Sequence, residues 1–269
     1  MTLLQIIVLA VVQGITEFLP ISSSGHLILV PELTNWPDQG IMMDVGVHVG
    51  TLLAVMVYFR ADVARLFRAF LQMITFSKHY DKKERHLMLA LILSTIPIVI
   101  FGGLASKLGL TDAWRTIEVI GWTSIVFGLL LYWFDTKCGS HRDLSELTFK
   151  NAAFIGFAQV LAIIPGTSRS GVTMTAARGL GFNRTDAARF SMLMSIPTII
   201  AAAILQLKDL FETGNFEIGS DLVLGAALSF AAALLAIAGL LKWLEKASMT
   251  PFVVYRVLLG IALLYFVYQ

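Results

Sequence analysis

Six long runs of apolar residues constrain this chain more than any other feature of its sequence. As a helix, each run would be close in length to the thickness of a bilayer's hydrocarbon core, and each carries little charge. Each is therefore predicted to cross a membrane as a helix. Only 14% of the residues are charged, against roughly a quarter in soluble domains. We therefore predict an all-α membrane protein, with residues 1–269 forming one integral membrane domain. The six predicted spans are Val45–Phe59, Leu87–Leu104, Ile117–Phe134, Ala187–Leu205, Leu222–Leu241 and Phe252–Tyr268.

Two further apolar segments are too short to span, and both end in residues that break helices. Leu3–Val12 is followed by Glu17, Pro20 and a Ser-Ser-Ser-Gly stretch. Asn151–Ile164 is followed by the sequence Pro-Gly-Thr-Ser-Arg-Ser-Gly, which ends at Gly171. Each segment is predicted to be a broken helix that re-enters the side of the membrane from which it came.

The two broken segments resemble each other. A glutamine, a proline and a Ser-rich turn ending in glycine occur in the same order in both, and a Ser-Thr-Ile-Pro sequence at Pro97 is similar to the Ser-Ile-Pro at Pro197. Two such halves typically form an inverted repeat whose broken helices meet near the bilayer centre. The predicted halves are 1–105 and 151–205, with further spans at 117–134, 222–241 and 252–268. The alternative is chance similarity between apolar sequences.

Loop charges predict the orientation of the spans. Residues 60–86 carry seven Lys and Arg against three acidic residues, which is typical of a cytoplasmic loop. Residues 206–220 carry three acidic residues against one lysine, which fits the outer side, although Lys107 and Arg115 break the pattern. The net charge of +2 and the lack of a basic run with interleaved aromatic residues argue against binding to nucleic acid.

Glu17 is the residue most indicative of function. A carboxylate inside a membrane costs about 2.5–3.5 kcal/mol on insertion scales, so it should face an internal cavity. Gln13 lies four residues earlier, on the same helical face. The alternative is a helix-end glutamate that reaches the membrane interface.

The stretch Ser22–His26 precedes an apolar helix and resembles a phosphate-binding turn. A helix start offers free backbone N–H groups to an anion, so Ser22, Ser24 and Gly25 are predicted to bind phosphate. Ser23 or Ser24 could act as the nucleophile with His26 as base, or His26 could attack directly. The helix dipole should lower the pKa of His26. The alternative is that the serines only cap the helix.

Arg169 supplies a cation on the second broken segment. A guanidinium binds phosphate through two parallel, charge-assisted hydrogen bonds. The alternative is that Arg169 only pairs with Glu17. Four neighbours of Arg169 are also predicted to bind phosphate: Thr167, Ser168, Ser170 and Gly171.

Asp44 and His48 lie four residues apart at the mouth of a span. They could bind a metal, but a polar start to an interfacial helix is the favoured interpretation.

The stretches Gln13–His26 and Pro165–Gly171 resemble the two signature motifs of the undecaprenyl-diphosphate phosphatase (bacitracin resistance protein) family. The resemblance covers the whole chain. It implies an enzyme that releases one phosphate from undecaprenyl diphosphate, a long-chain isoprenyl diphosphate, and so recycles the lipid carrier of cell-wall synthesis. On this basis Glu17, Ser23, His26 and Arg169 are the expected catalytic residues.

The resemblance also implies a divalent cation, Mg²⁺ or Ca²⁺, held through Glu17 and Gln13. It further implies a bacterial plasma-membrane location, an active site open to the outer face, and a homodimer. The family's first motif carries Glu or Gln and then Glu four residues later. Since Gln13 leaves one carboxylate instead of two, Glu17 would share the cation with phosphate and water.

A lipid-phosphate transporter or flippase is the alternative function, because inverted repeats with broken helices are typical of transporters. The acid-phosphatase-type lipid phosphatases share short Ser-Gly-His and Ser-Arg sequences with this chain. They are excluded because no histidine follows Arg169.

Overall fold

The computed structural model describes residues 1–77, 80–213 and 219–269, with the backbone alone over 209–213. Across these ranges the chain forms α-helices and two short 3-10 turns, at Leu144–Glu146 and Val160–Ile163, and no β-strand. The helices are α1 (Leu3–Thr16), α2 (Ser23–Thr34), α3 (Gly40–Tyr58), α4 (Arg60–Ile74), α5 (Lys82–Lys107), α6 (Leu110–Ala113), α7 (Ile117–Lys137), α8 (Phe149–Gln159), α9 (Arg169–Gly179), α10 (Arg184–Thr213), α11 (Ser220–Leu244) and α12 (Thr250–Val267).

Six of these helices are long and apolar enough to cross a membrane: α3, α5, α7, α10, α11 and α12. They coincide with the six spans predicted from the sequence, so the prediction of an all-α, multi-pass membrane protein is confirmed. The apolar helix α1 and the segment Phe149–Ile163 are shorter than a span. Their re-entrant, inverted arrangement in the membrane stays a prediction.

The breaks after these two short segments share one backbone conformation. Ser22 precedes α2 with φ 74° and accepts a hydrogen bond from the Gly25 N–H at 3.3 Å. Ser168 precedes α9 with φ 71° and accepts one from the Gly171 N–H at 3.1 Å. A positive φ is uncommon outside glycine, so the two turns share an unusual backbone conformation as well as a similar sequence.

The contacts between helices also recur when α1 is exchanged with α8, α3 with α10 and α11 with α5. In this pairing α11 lies outside the predicted halves, and α5 does not correspond to α10 as the sequences at Pro97 and Pro197 suggest. Helix α1 packs against α11, and α8 packs against α5. Helix α3 contacts α11, and α10 contacts α5, while α3 and α10 contact each other. The two broken segments therefore meet related neighbours, and this brings their turns to one place.

Residues 60–86 differ from the predicted cytoplasmic loop, because most of them are helical. Val63 and Leu66 of α4 pack against the main core, and Phe67, Leu71 and Ile74 form an exposed apolar stripe. Helical spacing of apolar residues produces this amphipathic helix. Of the charges used to orient the loops, Lys78, Glu217 and the side chains of Asp209 and Glu212 lie outside the described residues.

Glycines let α3 approach α11 closely. A Cβ atom added at Gly50 would lie 2.2 Å from the backbone oxygen of Ala226, whereas one added at Gly102 in α5 would meet nothing within 4 Å. We expect Gly50→Ala to destabilise the protein by about 1–3 kcal/mol, because the helices must move apart. Thermal unfolding in detergent measures the effect, with Gly102→Ala as the matched control. Equal melting temperatures for the two variants would contradict this prediction.

Candidate active site

A cavity of ≈ 230 Å³ lies beside the two turns that precede α2 and α9. Its polar residues are Glu17, Ser22, Ser23, Ser24, His48, Ser168 and Arg169, and the remaining wall is mostly apolar, formed by Val45, Ile98, Ala162, Thr198, Ile199, Ala202, Ala203 and Gln206. The cavity therefore joins a hydrogen-bonding end to a mostly apolar wall.

Glu17 is the centre of the polar end. Its carboxylate is buried and accepts a hydrogen bond from the Ser23 hydroxyl at 2.6 Å on Oε2. The Gln13 amide donates to the same oxygen at 3.0 Å, and Arg169 Nη2 donates to Oε1 at 3.1 Å. Glu17, Ser23 and Arg169 were each expected in the site from sequence, and the structure brings them together.

Two opposing influences act on the Glu17 carboxyl. Burial alone would raise its pKa, but Arg169, His48 and the hydrogen bonds from Ser23 and Gln13 together hold its pKa below the ordinary value. The group is therefore an ionised acceptor facing a serine hydroxyl.

Arg169 is more than a partner of Glu17. Its side chain is 14% exposed, and its Nη1 has no hydrogen-bond partner among the described residues although it is buried. A guanidinium with one end paired and the other free is suited to hold an anion between the two turns.

His26 makes its hydrogen bonds to residues other than Ser23. Its Nδ1 lies 2.7 Å from the carbonyl of Ser22, so Nδ1 carries the hydrogen, and Nε2 accepts from the Tyr255 hydroxyl at 2.5 Å. Both ring nitrogens are thus engaged. The pKa of His26 is lowered, as expected, although the main cause is burial, with Arg256 adding to it. The arrangement places Glu17, and not His26, in contact with Ser23.

The residues expected to bind phosphate fall into two groups. Ser22, Ser24 and Ser168 line the cavity. The others build the turns: the N–H groups of Gly25 and Gly171 are bonded to the capping serines. Ser170 donates to the backbone oxygen of Leu19 at 2.8 Å, and Thr167 is fully buried.

Sequence reasoning missed Arg256, which lies behind the two turns. It is fully buried and donates to the backbone oxygens of Pro20, Gly166, Thr167 and Thr123 at 2.9–3.3 Å. An arginine inside the apolar run Phe252–Tyr268 was the available signal, since intramembrane charges are usually functional. Arg256 fixes the first turn to the second.

Asp44 and His48 do not form the pair considered from sequence. The Asp44 carboxylate accepts from the Gln39 amide at 2.9 Å, and the His48 ring contacts the Asp44 backbone oxygen. His48 Nε2 lies 3.8 Å from Glu17 Oε2. His48 therefore belongs to the polar end of the cavity.

Comparison with known proteins places the whole chain in one group. The family model described as bacitracin resistance protein BacA matches residues 6–262. Undecaprenyl-diphosphatase of Roseobacter denitrificans is 48% identical over 269 residues, and that of Dinoroseobacter shibae is 47% identical, with both chains covered completely in each case. Undecaprenyl-diphosphatase of Hahella chejuensis is 48% identical over 273 residues, covering 100% of this chain and 99% of the relative. The chain belongs to the bacitracin resistance protein BacA family.

Proposed function

We propose that this protein hydrolyses undecaprenyl diphosphate to undecaprenyl phosphate and inorganic phosphate. The observation that carries the proposal is the 2.6 Å hydrogen bond from Ser23 to Glu17, beside the Arg169 guanidinium and in a cavity with a mostly apolar wall. The names of the relatives support the same reaction. None of those names points to a transporter.

Ser23 is the proposed nucleophile. Its hydroxyl oxygen attacks the terminal phosphorus while Glu17 accepts the hydroxyl proton. A bond forms between Ser23 Oγ and phosphorus, the bond from phosphorus to the bridging oxygen breaks, and undecaprenyl phosphate leaves. Water then hydrolyses the phosphoserine and releases phosphate.

Arg169 and the two turns stabilise the charge of the reacting group. The free Nη1 of Arg169 and the N–H groups at the starts of α2 and α9 would present fixed dipoles to the bound phosphate. Electrostatic stabilisation of this kind is the main source of rate acceleration in phosphoryl transfer. The buried Arg256 adds a positive charge behind both turns and fixes the position of one turn relative to the other.

A divalent cation fits the residues beside Ser23. Gln13 Oε1 is buried without a hydrogen-bond partner, and carboxylate and amide oxygens are the ligands that Mg²⁺ and Ca²⁺ prefer. The described residues contain no cluster of three His, Cys, Asp or Glu side chains, so Glu17 and Gln13 would hold the ion together with water and the diphosphate. The ion would neutralise charge that develops on the phosphate oxygens.

Membership of the BacA family supports a proposed cellular setting. We propose that the protein lies in the bacterial plasma membrane as a homodimer, with the cavity open to the outer face, where it recycles the lipid carrier of cell-wall synthesis and confers bacitracin resistance. The apolar wall formed by Ile98, Ile199 and their neighbours suits the first isoprene units of the lipid.

Phosphate release in detergent tests the proposal, because no transbilayer gradient exists there. Purified protein should release inorganic phosphate from undecaprenyl diphosphate, and Glu17→Ala should reduce the rate to that of the lipid alone. Substrate binding without phosphate release would instead favour a lipid-phosphate carrier.

A further inference from the structure

His48 places a ring nitrogen near the catalytic carboxylate. Its Nδ1 lies 2.7 Å from the backbone oxygen of Asp44. A carbonyl oxygen only accepts hydrogen bonds, so Nδ1 carries a hydrogen and Nε2 is the ring nitrogen that can bind a cation. That Nε2 lies 3.8 Å from Glu17 Oε2, and the side chain is 28% exposed to the cavity.

A cation held between an imidazole nitrogen and a carboxylate oxygen would satisfy both atoms. Ligands about 2.0–2.2 Å from one ion lie roughly 3–4 Å apart, which matches the separation of Nε2 and Oε2. Charge favours a cation as well, because Arg169 is the one guanidinium among the described residues that line the cavity, and it already pairs with Glu17.

Gln13 supplies the third donor. Its Nε2 donates to Glu17 Oε2 at 3.0 Å while its Oε1 is buried without a partner. Turning the amide over exchanges two groups of nearly the same shape. The turn would place Oε1 near Glu17 Oε2, where one cation could bind both oxygens, and would move the amide nitrogen to the position that Oε1 now occupies.

We propose that His48 is a ligand of the divalent cation, together with Glu17 and Gln13, in place of a second carboxylate. The proposal rests on the cation described under the proposed function and adds a prediction of which ion is preferred. An imidazole nitrogen suits first-row transition ions, whereas Mg²⁺ and Ca²⁺ favour sites built from oxygen. The site should therefore bind Mn²⁺ more tightly than Ca²⁺.

Electron paramagnetic resonance on purified protein with Mn²⁺ and no substrate tests the ligand directly. We expect one bound Mn²⁺ whose spin-echo modulation shows a coordinated ¹⁴N nucleus, and Ca²⁺ should displace it only at high excess. His48→Gln should remove the nitrogen coupling and weaken Mn²⁺ binding by tenfold or more. His86→Gln is the matched control, because His86 binds the Leu147 backbone oxygen at 2.6 Å, away from the cavity.

Several outcomes would overturn the proposal. These are a bound Mn²⁺ without nitrogen coupling, a coupling that survives His48→Gln, or tighter binding of Ca²⁺ than of Mn²⁺. If His48→Gln does not fold, wild-type protein labelled with ¹⁵N-histidine gives the answer, since the coupling must then change to that of ¹⁵N. Phosphate release that continues in a chelator, with no bound Mn²⁺, would refute the cation site and leave the phosphatase proposal standing.

Discussion

Replacing Ser23 with alanine should lower kcat for phosphate release by about 10³-fold or more, because the reaction loses its nucleophile. KM should change little, since Arg169 and the two turns still hold the diphosphate. Steady-state rates of phosphate release from undecaprenyl diphosphate in detergent measure the effect.

His26→Ala is the informative comparison. The imidazole is bonded to Ser22 and Tyr255 and not to Ser23, so this variant should retain slow turnover. If His26→Ala instead lost more activity than Ser23→Ala, and labelled substrate left an acid-labile label on His26, the phosphoryl group would pass through a histidine. An acid-stable label on Ser23 would support the serine route.

Arg169→Ala should reduce kcat/KM by about 10²–10⁴-fold. The variant loses the charge-assisted contact to phosphate and leaves the buried Glu17 without its cation, and breaking such a pair costs about 2–5 kcal/mol. Arg169→Lys should restore only part of the loss, because an ammonium cannot bond both Glu17 and phosphate in a fixed plane.

Arg65→Ala serves as the control for removing an arginine. Arg65 is exposed and pairs with Asp62 at 2.6 Å, so its loss should leave the kinetics unchanged. Near-normal kcat/KM in Arg169→Ala, with the melting temperature preserved, would mean that Arg169 has no role in binding the reacting phosphate.

The sequence predicted those features that depend on local pattern. A span needs about 20 apolar residues in a row, so all six spanning helices could be located. A Ser-Gly turn before an apolar run likewise located the start of α2. Helix α4 was missed because its basic residues were read as loop charge, although its apolar residues follow helical spacing.

The remaining part of the site depends on contacts between distant segments. His48 reaches Glu17 from α3, and Tyr255 reaches His26 across 229 residues. No local pattern predicts which helix will lie beside which turn. The neighbours of a polar residue in one helix therefore become known only when the packing is known.

The position of Arg256 has a consequence for the order in which the protein is made. Its guanidinium binds backbone oxygens that precede it by 89, 90, 133 and 236 residues, and α12 leaves the ribosome after the other helices described here. Until then the two turns lack the side chain that joins them. Inserted chains that stop before α12 should therefore hold every proposed catalytic residue and still lack a working site, so activity would appear only after α12 has been made.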